Sequence, residues 1–296
     1  MPIGCTRGEA ACAAHLLCDR HSPDAVAFSI IESDLSSEDI TYRHLRERSE
    51  RGAAALAGLG IGQGDVVATL MGKSADLVVM LLAIWRRGAV HVPLFTAFAW
   101  PAIELRLKAS GAKVIITDAD QRGKIQETAA TVISTGDTTT GQDLSLPQLL
   151  SGHEPGIPAE TVGGDGTLVL IFTSGTTGAP KGVPVPVRAL AAFRQYIEYG
   201  LDVRKDDVYW NAADPGWAYG LYYAILGPLA AGRRSLLLHA GFSPELSLSI
   251  LKHFNVTNFA AAPTVYRSMR SKQGAGSPDL KLRRASSAGG AADPPE

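Results

Sequence analysis

The segment from Ile171 to Gly182, which reads IFTSGTTGAPKG, combines residue types that can hold an anion. Its last ten residues contain three glycines, four hydroxyl side chains and a lysine. Glycine lets the backbone adopt positive φ and approach a ligand closely, so consecutive N–H groups can point at one spot. The Lys181 ammonium adds a compact positive charge suited to phosphate oxygens. These residue types favour a phosphate-binding loop over an ordinary turn.

Three better-known patterns do not fit the chain. The loop is not a P-loop of the form GxxxxGK[ST], because Pro180 and Gly182 stand where that pattern needs a glycine and a hydroxyl residue. The glycines of segment 58–65 follow a helical pattern and precede a strand, which is the reverse of the dinucleotide-binding order. No G-x-S-x-G sequence occurs, which argues against an α/β-hydrolase.

Strands and helices alternate in the hydrophobic pattern on both sides of the loop. Short apolar runs predict strands, and apolar residues spaced three and four apart predict helices. The run 167–173 predicts a strand that leads straight into the loop, and a helix near 187–199 is expected after it. Further strands are predicted at 25–31, 65–71, 89–94, 113–117, 207–211, 235–239 and 258–262, and further helices after Thr41 and Ser74, at 100–110, 220–231 and 244–254, and after Pro263.

This alternation predicts an α/β fold. Continuous apolar strands between helices imply parallel sheets that are covered on both faces. Between Ser134 and Gly166 the pattern fails and Gly, Ser, Thr and Pro dominate, so a long loop or linker is predicted there. The sequence therefore predicts two doubly wound α/β lobes, residues 1–133 and residues 167–296, joined by the segment 134–166. The second lobe carries the phosphate loop.

Composition and charge exclude some classes of partner. Across 296 residues the formal net charge is −1, so no overall positive field favours nucleic acid or an anionic membrane surface. The longest apolar run, 77–85, has nine residues, against the roughly twenty that a membrane-spanning helix needs. The three cysteines lie within the first eighteen residues and fit neither a zinc pair nor a disulfide framework. Reduced thiols, no protein-bound metal cluster and a cytoplasmic location are therefore expected.

Several segments in sequence order resemble the AMP-forming (adenylate-forming) ligases, a family of acyl-CoA synthetases, luciferase-like enzymes and peptide-synthetase adenylation domains. FTSGTTGAPKG looks like the family's phosphate loop almost letter for letter. LLAIWRRGAVHVPL with RLKASGAKVIITD is similar to its early motif pair. AADPGWAYGLYYAILGPLAAG resembles the aromatic segment of short- and medium-chain acyl-CoA synthetases, and AAAPTVYRSM with RRASSAGGAADPPE resembles the stretch that leads to the adenine site. The resemblance covers the chain from about Pro23 to Glu296.

The resemblance implies a reaction in two steps. A carboxylate attacks the α-phosphate of ATP, bound with Mg²⁺, and gives an acyl-adenylate and pyrophosphate; the thiol of coenzyme A then displaces AMP. Electrostatic stabilisation of the phosphates is expected to dominate the first step. The implied ATP-binding residues are Thr173, Ser174, Gly175, Thr176, Thr177, Gly178, Lys181 and, beside the adenine, Gly289, with Thr173 and Lys181 also in a catalytic role.

The same resemblance assigns an acyl pocket to the aromatic segment. The residues at the matching positions are Trp217, Ala218, Tyr219 and Gly220. Bulk at Tyr219 and Ala218 would then limit the length of the acyl chain. Ordinary core packing is the alternative interpretation of these aromatic residues.

The chain departs from the family pattern near its end. Gly289-Gly290-Ala291 stands where relatives usually have Gly-Glu-Pro, and the family's magnesium-binding glutamate, ribose-binding aspartate and C-terminal domain with its catalytic lysine have no match. The resemblance therefore predicts the N-terminal part of an acyl-CoA synthetase, which should make little acyl-CoA alone. Two alternatives stay open: a non-catalytic nucleotide-binding remnant, and an adenylation domain that loads a carrier protein. The latter needs an acidic anchor for an amine, and Asp214 is the acidic residue of the aromatic segment.

Overall fold

The computed structural model of the chain describes residues 8, 10–136, 143–173, 180–272 and 279–288. The strands are β1 Val26–Ile31, β2 Ser37–Thr41, β3 Val66–Leu70, β4 Val90–Pro93, β5 Val114–Thr117, β6 Thr131–Ser134, β7 Leu144–Ser145, β8 Thr167–Thr173, β9 Lys181–Pro186, β10 Tyr209–Asn211, β11 Ser235–Leu238, β12 Asn258–Ala261 and β13 Arg284–Ser287. The helices are α1 Tyr42–Gly58, α2 Ala75–Arg86, α3 Trp100–Ser110, α4 Ala119–Arg122, α5 Leu146–Ser151, α6 Ala189–Gln195, α7 Ala218–Gly220, α8 Gly227–Ala231, α9 Pro244–His253 and α10 Pro263–Lys272. π-Helical turns lie at His15–Asp19, Tyr196–Gly200 and Leu221–Leu226.

The strands form two mostly parallel sheets. Sheet 1 has six strands in the order β13-β12-β10-β11-β1-β2, and sheet 2 has seven in the order β7-β6-β5-β3-β4-β8-β9. Neighbouring strands are parallel except for β1 with β2 and β8 with β9, which are antiparallel. Parallel neighbours need crossover connections, and helices supply them here. The α/β fold that the alternation predicts is confirmed.

The strands are not divided between the sheets in the order in which they occur along the chain. β1 and β2 join sheet 1 together with β10 to β13, whereas β8 and β9 join the early strands in sheet 2. Each sheet thus takes strands from both sides of the segment 134–166. The division of the chain into units 1–133 and 167–296 stays a prediction, and it differs from the division of the strands between sheets.

The segment 134–166 contains more regular structure than its composition indicates. β7 and α5 lie within it, and the Ser145 hydroxyl caps α5 by accepting a hydrogen bond from the Gln148 N–H at 3.4 Å. Leu146 and Leu150 of α5 are buried in the same core as α1 and α2. The predicted loop or linker thus contains a short strand and a helix. A helix of six residues offers only one apolar repeat, too little for a periodic signal.

The hydrophobic pattern also misses β2, β9 and β13. β2 and β9 are edge strands with mostly exposed or half-buried residues, so they lack a clear apolar alternation. β9 contains Pro184 and Pro186, which sheets tolerate at an edge but not in the centre. The antiparallel strand β9 therefore follows β8 before α6 begins.

α2 is buried on all sides. Each residue from 77 to 86 is buried, and the apolar side chains belong to one core cluster with residues of both sheets. The Ser74 hydroxyl accepts a hydrogen bond from the Leu77 N–H at 3.1 Å, and Thr41 caps α1 in the same way at 3.2 Å from the His44 N–H. The apolar run 77–85 is thus a core helix. In the described parts of the chain, no helix has the length and apolar character needed to span a membrane.

The last residue of α2, Arg86, is a charged group within this core. Its side chain is 2% exposed, and its guanidinium forms two contacts with the Asp19 carboxylate, one of them 3.0 Å between Nη1 and Oδ2. Arg86 Nε also donates to Ser49 Oγ at 2.8 Å, and Glu50 Oε1 lies 3.8 Å from Nη1. This paired charge connects the N-terminal π-helical turn to α1 and α2.

We expect Asp19→Ala to lower the free energy of unfolding by about 3 kcal/mol, because it leaves the buried Arg86 guanidinium without its main partner. This value lies at the lower end of the usual cost, since Glu50 still offsets part of the charge. Asp24→Ala is the matched control: it removes an ion pair whose side chains are 55% and 80% exposed, and stability should hardly change. Urea unfolding measures both variants. Equal losses would contradict the structural role of Asp19.

Candidate functional site

Strand ends from both sheets meet around a cleft of about 860 Å³. In sheet 2 the lining residues directly follow β3, β4 and β5, and in sheet 1 they follow β10, β11 and β12. Ligands of open α/β sheets bind outside the carboxyl ends of the strands, so this cleft is where the topology predicts a site. Representative lining residues, in the order of these strands, are Lys73, Thr96, Asp118, Asp214, His239 and Thr264.

Two glycines let the segment 212–220 cross this cleft in close contact with sheet 2. A Cβ atom at Gly216 would overlap the backbone just after β4: it would lie 2.5 Å from Leu94 O and closer still to the Phe95 Cα. A Cβ atom at Gly220 would overlap the carbonyl group of Asp214. Glycine is therefore required by close backbone approach at both positions.

The Asp214 carboxylate holds the same segment to sheet 2 by a side-chain contact. Its Oδ2 accepts a hydrogen bond from Thr96 Oγ1 at 2.6 Å, and its Oδ1 accepts one from the Gly216 N–H at 2.6 Å. One bond spans the two sheets and the other shapes the turn. Both carboxylate oxygens thus have a protein donor.

Lys73 and Asp118 complete the wall of the cleft on the side of sheet 2. Lys73 Nζ donates to the Ala212 carbonyl oxygen at 3.0 Å, which is a second contact between the sheets. Asp118 accepts hydrogen bonds from the Gly72 N–H at 2.6 Å and the Gln121 N–H at 2.9 Å, so it joins the ends of β3 and β5 and caps α4. Burial lowers the pKa of the Lys73 ammonium, and the nearby Asp214 carboxylate opposes part of that change.

The loop end of the β8–β9 hairpin lies at the carboxyl ends of the parallel strands of sheet 2, the same side as the cleft. Thr173 ends β8 and Lys181 begins β9, and the two are paired across the hairpin with both residues exposed. β8 runs parallel to β4 with Val169 opposite His91. Counting along both strands brings Thr173 level with Phe95, which lines the cleft. Of the predicted phosphate loop, Ser174, Gly175, Thr176, Thr177 and Gly178 lie outside the described residues.

The four residues predicted to line an acyl pocket occupy different environments. Trp217 lines the cleft, whereas Gly220 is buried against Asp214 and Ala218 packs on the main core cluster. Tyr219 is 7% exposed and lies behind Trp217, with 6.3 Å between the ring centroids. The assignment of these four residues to substrate binding stays a prediction, as does that of Gly289, which is not among the described residues.

Tyr219 belongs to a cluster of aromatic rings. Its ring meets that of Tyr223 edge-on at 5.3 Å, and Tyr223 in turn lies 4.4 Å from Tyr196. Burial raises the pKa of Tyr219 to about 12, with a smaller effect from Tyr196 and Tyr223. The Tyr219 hydroxyl is buried and has no hydrogen-bond partner within the described ranges. Packing against aromatic neighbours thus accounts for much of this side chain's environment.

Sequence reasoning missed most polar residues of the cleft, among them Lys73, Thr96 and Asp118. Asp118 directly follows β5 and Lys73 lies three residues after the end of β3, so the rule that ligands bind beyond strand ends could have identified both. Thr96 lies as close after β4, so the same rule applies to it, but its hydrogen bond to the distant Asp214 could not be predicted.

The comparison with known proteins identifies the class. The family model for AMP-binding enzymes matches residues 18–296, so the chain belongs to the AMP-binding enzyme family. The predicted membership of the adenylate-forming ligases is confirmed.

Similar proteins include acetyl-coenzyme A synthetases. That of Rubrobacter xylanophilus is 31% identical over 277 residues, which are 83% of this chain and 42% of the relative. That of Xylella fastidiosa is 34% identical over 283 residues, 85% of this chain and 44% of the relative. The crystal structure of an acyl-CoA synthetase from Brucella canis superposes with a TM-score of 0.87 at 37% identity, covering 94% of this chain and 52% of that one. The chain spans less than half the length of these two curated relatives and about half of the solved structure.

We expect Gly220→Ala to destabilise the protein by about 1–3 kcal/mol or more, because the added methyl group would overlap the Asp214 backbone. Gly123→Ala is the control, since that glycine has negative φ and open space around it; its effect should stay within about 1 kcal/mol. Thermal and urea unfolding measure both. A Gly220→Ala protein as stable as the control would show that the contact between residues 214 and 220 is looser than described.

Proposed function

We propose that the chain takes part in an AMP-forming acid–thiol ligase reaction, in which a carboxylic acid is activated with ATP and passed to coenzyme A. The observation that supports this most is the position of the β8–β9 hairpin. The hairpin carries the phosphate-loop sequence, and its loop end lies at the carboxyl ends of the sheet 2 strands, where the cleft is. A phosphate and a carboxylate could therefore be held side by side. At about 860 Å³, the cleft is in the usual range for small-molecule sites.

The hairpin fits the phosphate groups of ATP. Thr173 and Lys181 are exposed, face each other across the hairpin and offer a hydroxyl and an ammonium donor. The Lys181 charge would neutralise β- and γ-phosphate oxygens as charge shifts onto pyrophosphate. Mg²⁺ would come with the nucleotide. The described residues contain no group of three or more His, Cys, Asp or Glu side chains that could hold a metal ion.

The acid substrate in this proposal is a short or medium-chain carboxylate. The curated relatives are named acetyl-coenzyme A synthetases, and the solved relative is named an acyl-CoA synthetase. Trp217 is the aromatic residue that faces the cleft from the segment 212–220, and Tyr219 stands behind it. Together they would bound the space left for the acyl chain.

A carrier-protein adenylation domain fits the cleft less well. Such an enzyme needs a carboxylate for the substrate amine, and Asp214 already accepts hydrogen bonds from Thr96 and from the Gly216 N–H on its two oxygens. We therefore place coenzyme A, and not a carrier protein, as the thiol partner. A cytoplasmic site of action is part of the proposal, since Cys12 and Cys18 are free thiols.

The proposal is tested by titrating the chain with acyl-adenylate analogues in which a sulfamate replaces the phosphate. We expect acetyl- and butyryl-sulfamoyladenosine to bind more tightly than AMP, because the acyl group fills the cleft beside Trp217. The alanyl analogue should bind less well, since both oxygens of the Asp214 carboxylate already accept hydrogen bonds. Equal binding of AMP and all analogues would support the nucleotide-binding remnant instead, and a preference for the alanyl analogue would support the adenylation domain.

We expect Lys181→Ala to weaken MgATP binding by about 10- to 100-fold, the usual effect of losing one charge-assisted phosphate contact. Lys205→Ala is the control, because Lys205 is an equally exposed lysine in the turn before β10 and far along the chain from the hairpin. Calorimetric titration with MgATP measures affinity, and thermal unfolding checks that both proteins are folded. Equal affinities in the two variants would remove Lys181 from the phosphate site.

We expect Tyr219→Ala to shift binding towards analogues with longer acyl chains, because it removes bulk behind Trp217. One methylene group is worth about 1–3 kcal/mol in a hydrophobic pocket, so the shift should be graded over the series acetyl to hexanoyl. Tyr222→Ala is the control: Tyr222 stacks on Phe193 at 4.3 Å and does not line the cleft. An unchanged preference with lower stability would assign Tyr219 to core packing.

A further inference from the structure

Lys73 places a positive charge in the wall of the cleft, away from the phosphate hairpin. It follows β3 and lies directly before Ser74, the residue that caps α2. Its side chain lines the cleft together with Thr96, Asp118 and Trp217. The proposed ligase residues do not include it, and the sequence motifs of the phosphate loop lie on another strand.

The Lys73 ammonium has fewer partners than it can use. An ammonium group carries three donor protons. Within the described ranges, Lys73 donates one hydrogen bond, to the Ala212 carbonyl oxygen at 3.0 Å, and forms no ion pair. Burial lowers its pKa, and the nearby Asp214 carboxylate offsets only part of that change. Buried charges in proteins are normally paired, so the geometry leaves room for an anionic partner.

Asp214 and Asp118, two of the carboxylates that line the cleft with Lys73, are already engaged. Asp214 accepts from Thr96 and the Gly216 N–H, and Asp118 accepts from the Gly72 and Gln121 N–H groups. The first turn of α2 contains Asp76, whose carboxylate pairs with Arg48 at 2.6 Å. On the opposite wall, His239 contacts Glu32 at 2.9 Å. Each of these acidic groups has its own donors. Asp120 also lines the cleft, and within the described residues neither it nor the others form an ion pair with Lys73.

The backbone next to Lys73 adds to the positive potential. α2 has twelve residues, and its N-terminal end carries the positive end of the helix dipole and backbone N–H groups without intrahelical partners. Ser74 Oγ satisfies the Leu77 N–H. The positive end of the helix dipole thus lies next to Lys73, and Asp76 in the first turn offsets part of it.

We propose that Lys73 is the anchor of a second anion-binding site in the cleft, which takes a carboxylate or phosphate oxygen of a bound ligand. The bond to Ala212 O fixes the ammonium at the wall, and the remaining protons are donated to the ligand. This inference rests on the cleft and not on the proposed ligase reaction. It extends the range of ligands to those that carry a second anionic group, such as a dicarboxylic acid or a phosphorylated compound.

The test is a set of calorimetric titrations of the whole chain with succinate, inorganic phosphate and, as the neutral probe, succinamide. We expect at least one of the two anions to bind and succinamide not to bind. Lys73→Met, which keeps the length of the side chain but removes the charge, should weaken that anion by about 10- to 100-fold. A preference for succinate indicates a substrate carboxylate, and a preference for phosphate indicates a phosphorylated ligand.

Two controls separate this site from other roles. Lys124→Met should leave anion affinity unchanged, because the Lys124 amine is used by Thr96 O and Gln121 Oε1. The titrations are repeated in Lys181→Ala: anion binding that depends on Lys73 should persist there, whatever happens to MgATP binding at the hairpin. The inference is overturned if neither anion binds. It is also overturned if Lys73→Met binds the anions as tightly as the unchanged chain while its thermal stability falls, because Lys73 would then serve only to hold Ala212.

Discussion

The site depends on one close approach of two backbones. The segment 212–220 leaves sheet 1 after β10 and lies against the residues that follow β4 in sheet 2. No side chain fits between the two backbone segments at Gly216, so glycine is required there. The Thr96–Asp214 hydrogen bond holds the same two segments together. If the backbones stood farther apart, Trp217 would not face residues of sheet 2, and the cleft would have one wall only. The shape of the site follows from this contact more than from any single functional side chain.

The hydrophobic core also stabilises the arrangement of the two sheets around the cleft. α2 lies in a core cluster that includes residues of both sheets, and it follows directly on Lys73 and Ser74 at the cleft. At the other end of the helix, the Arg86–Asp19 pair connects it to the N-terminal turn. One helix therefore links a buried ion pair to the wall of the site. Rotation of α2 would disturb both, which makes a rigid cleft wall the expected property of this fold.

The sequence predicts the local elements well and their assembly poorly. The helices after Thr41 and Ser74 begin where their capping hydroxyls predict, because a cap depends on residues three apart. The sequence does not predict that β1 and β8 pair with strands that are distant along the chain. The apolar residues of a strand do not indicate which strand it pairs with. The same limit applies to the site. Thr173 and Lys181 can be identified from a sequence motif, whereas the contact of Thr96 with Asp214, 118 residues away, cannot.

The arrangement of the two sheets bears directly on how an acid and a nucleotide could meet. The phosphate-loop sequence belongs to the β8–β9 hairpin, and β8 is the immediate neighbour of β4. The segment with Trp217 is clamped to the residues just after β4. Adjacent strands lie about 4.8 Å apart, so the hairpin and the segment with Trp217 are separated by about the spacing of one strand. In the proposed reaction a carboxylate oxygen must approach a phosphorus atom in line, and small misplacements of reacting groups are costly. If the acid is held from one sheet and the phosphates from the other, as proposed, the reaction needs such a short and rigid connection, and β4 would supply it.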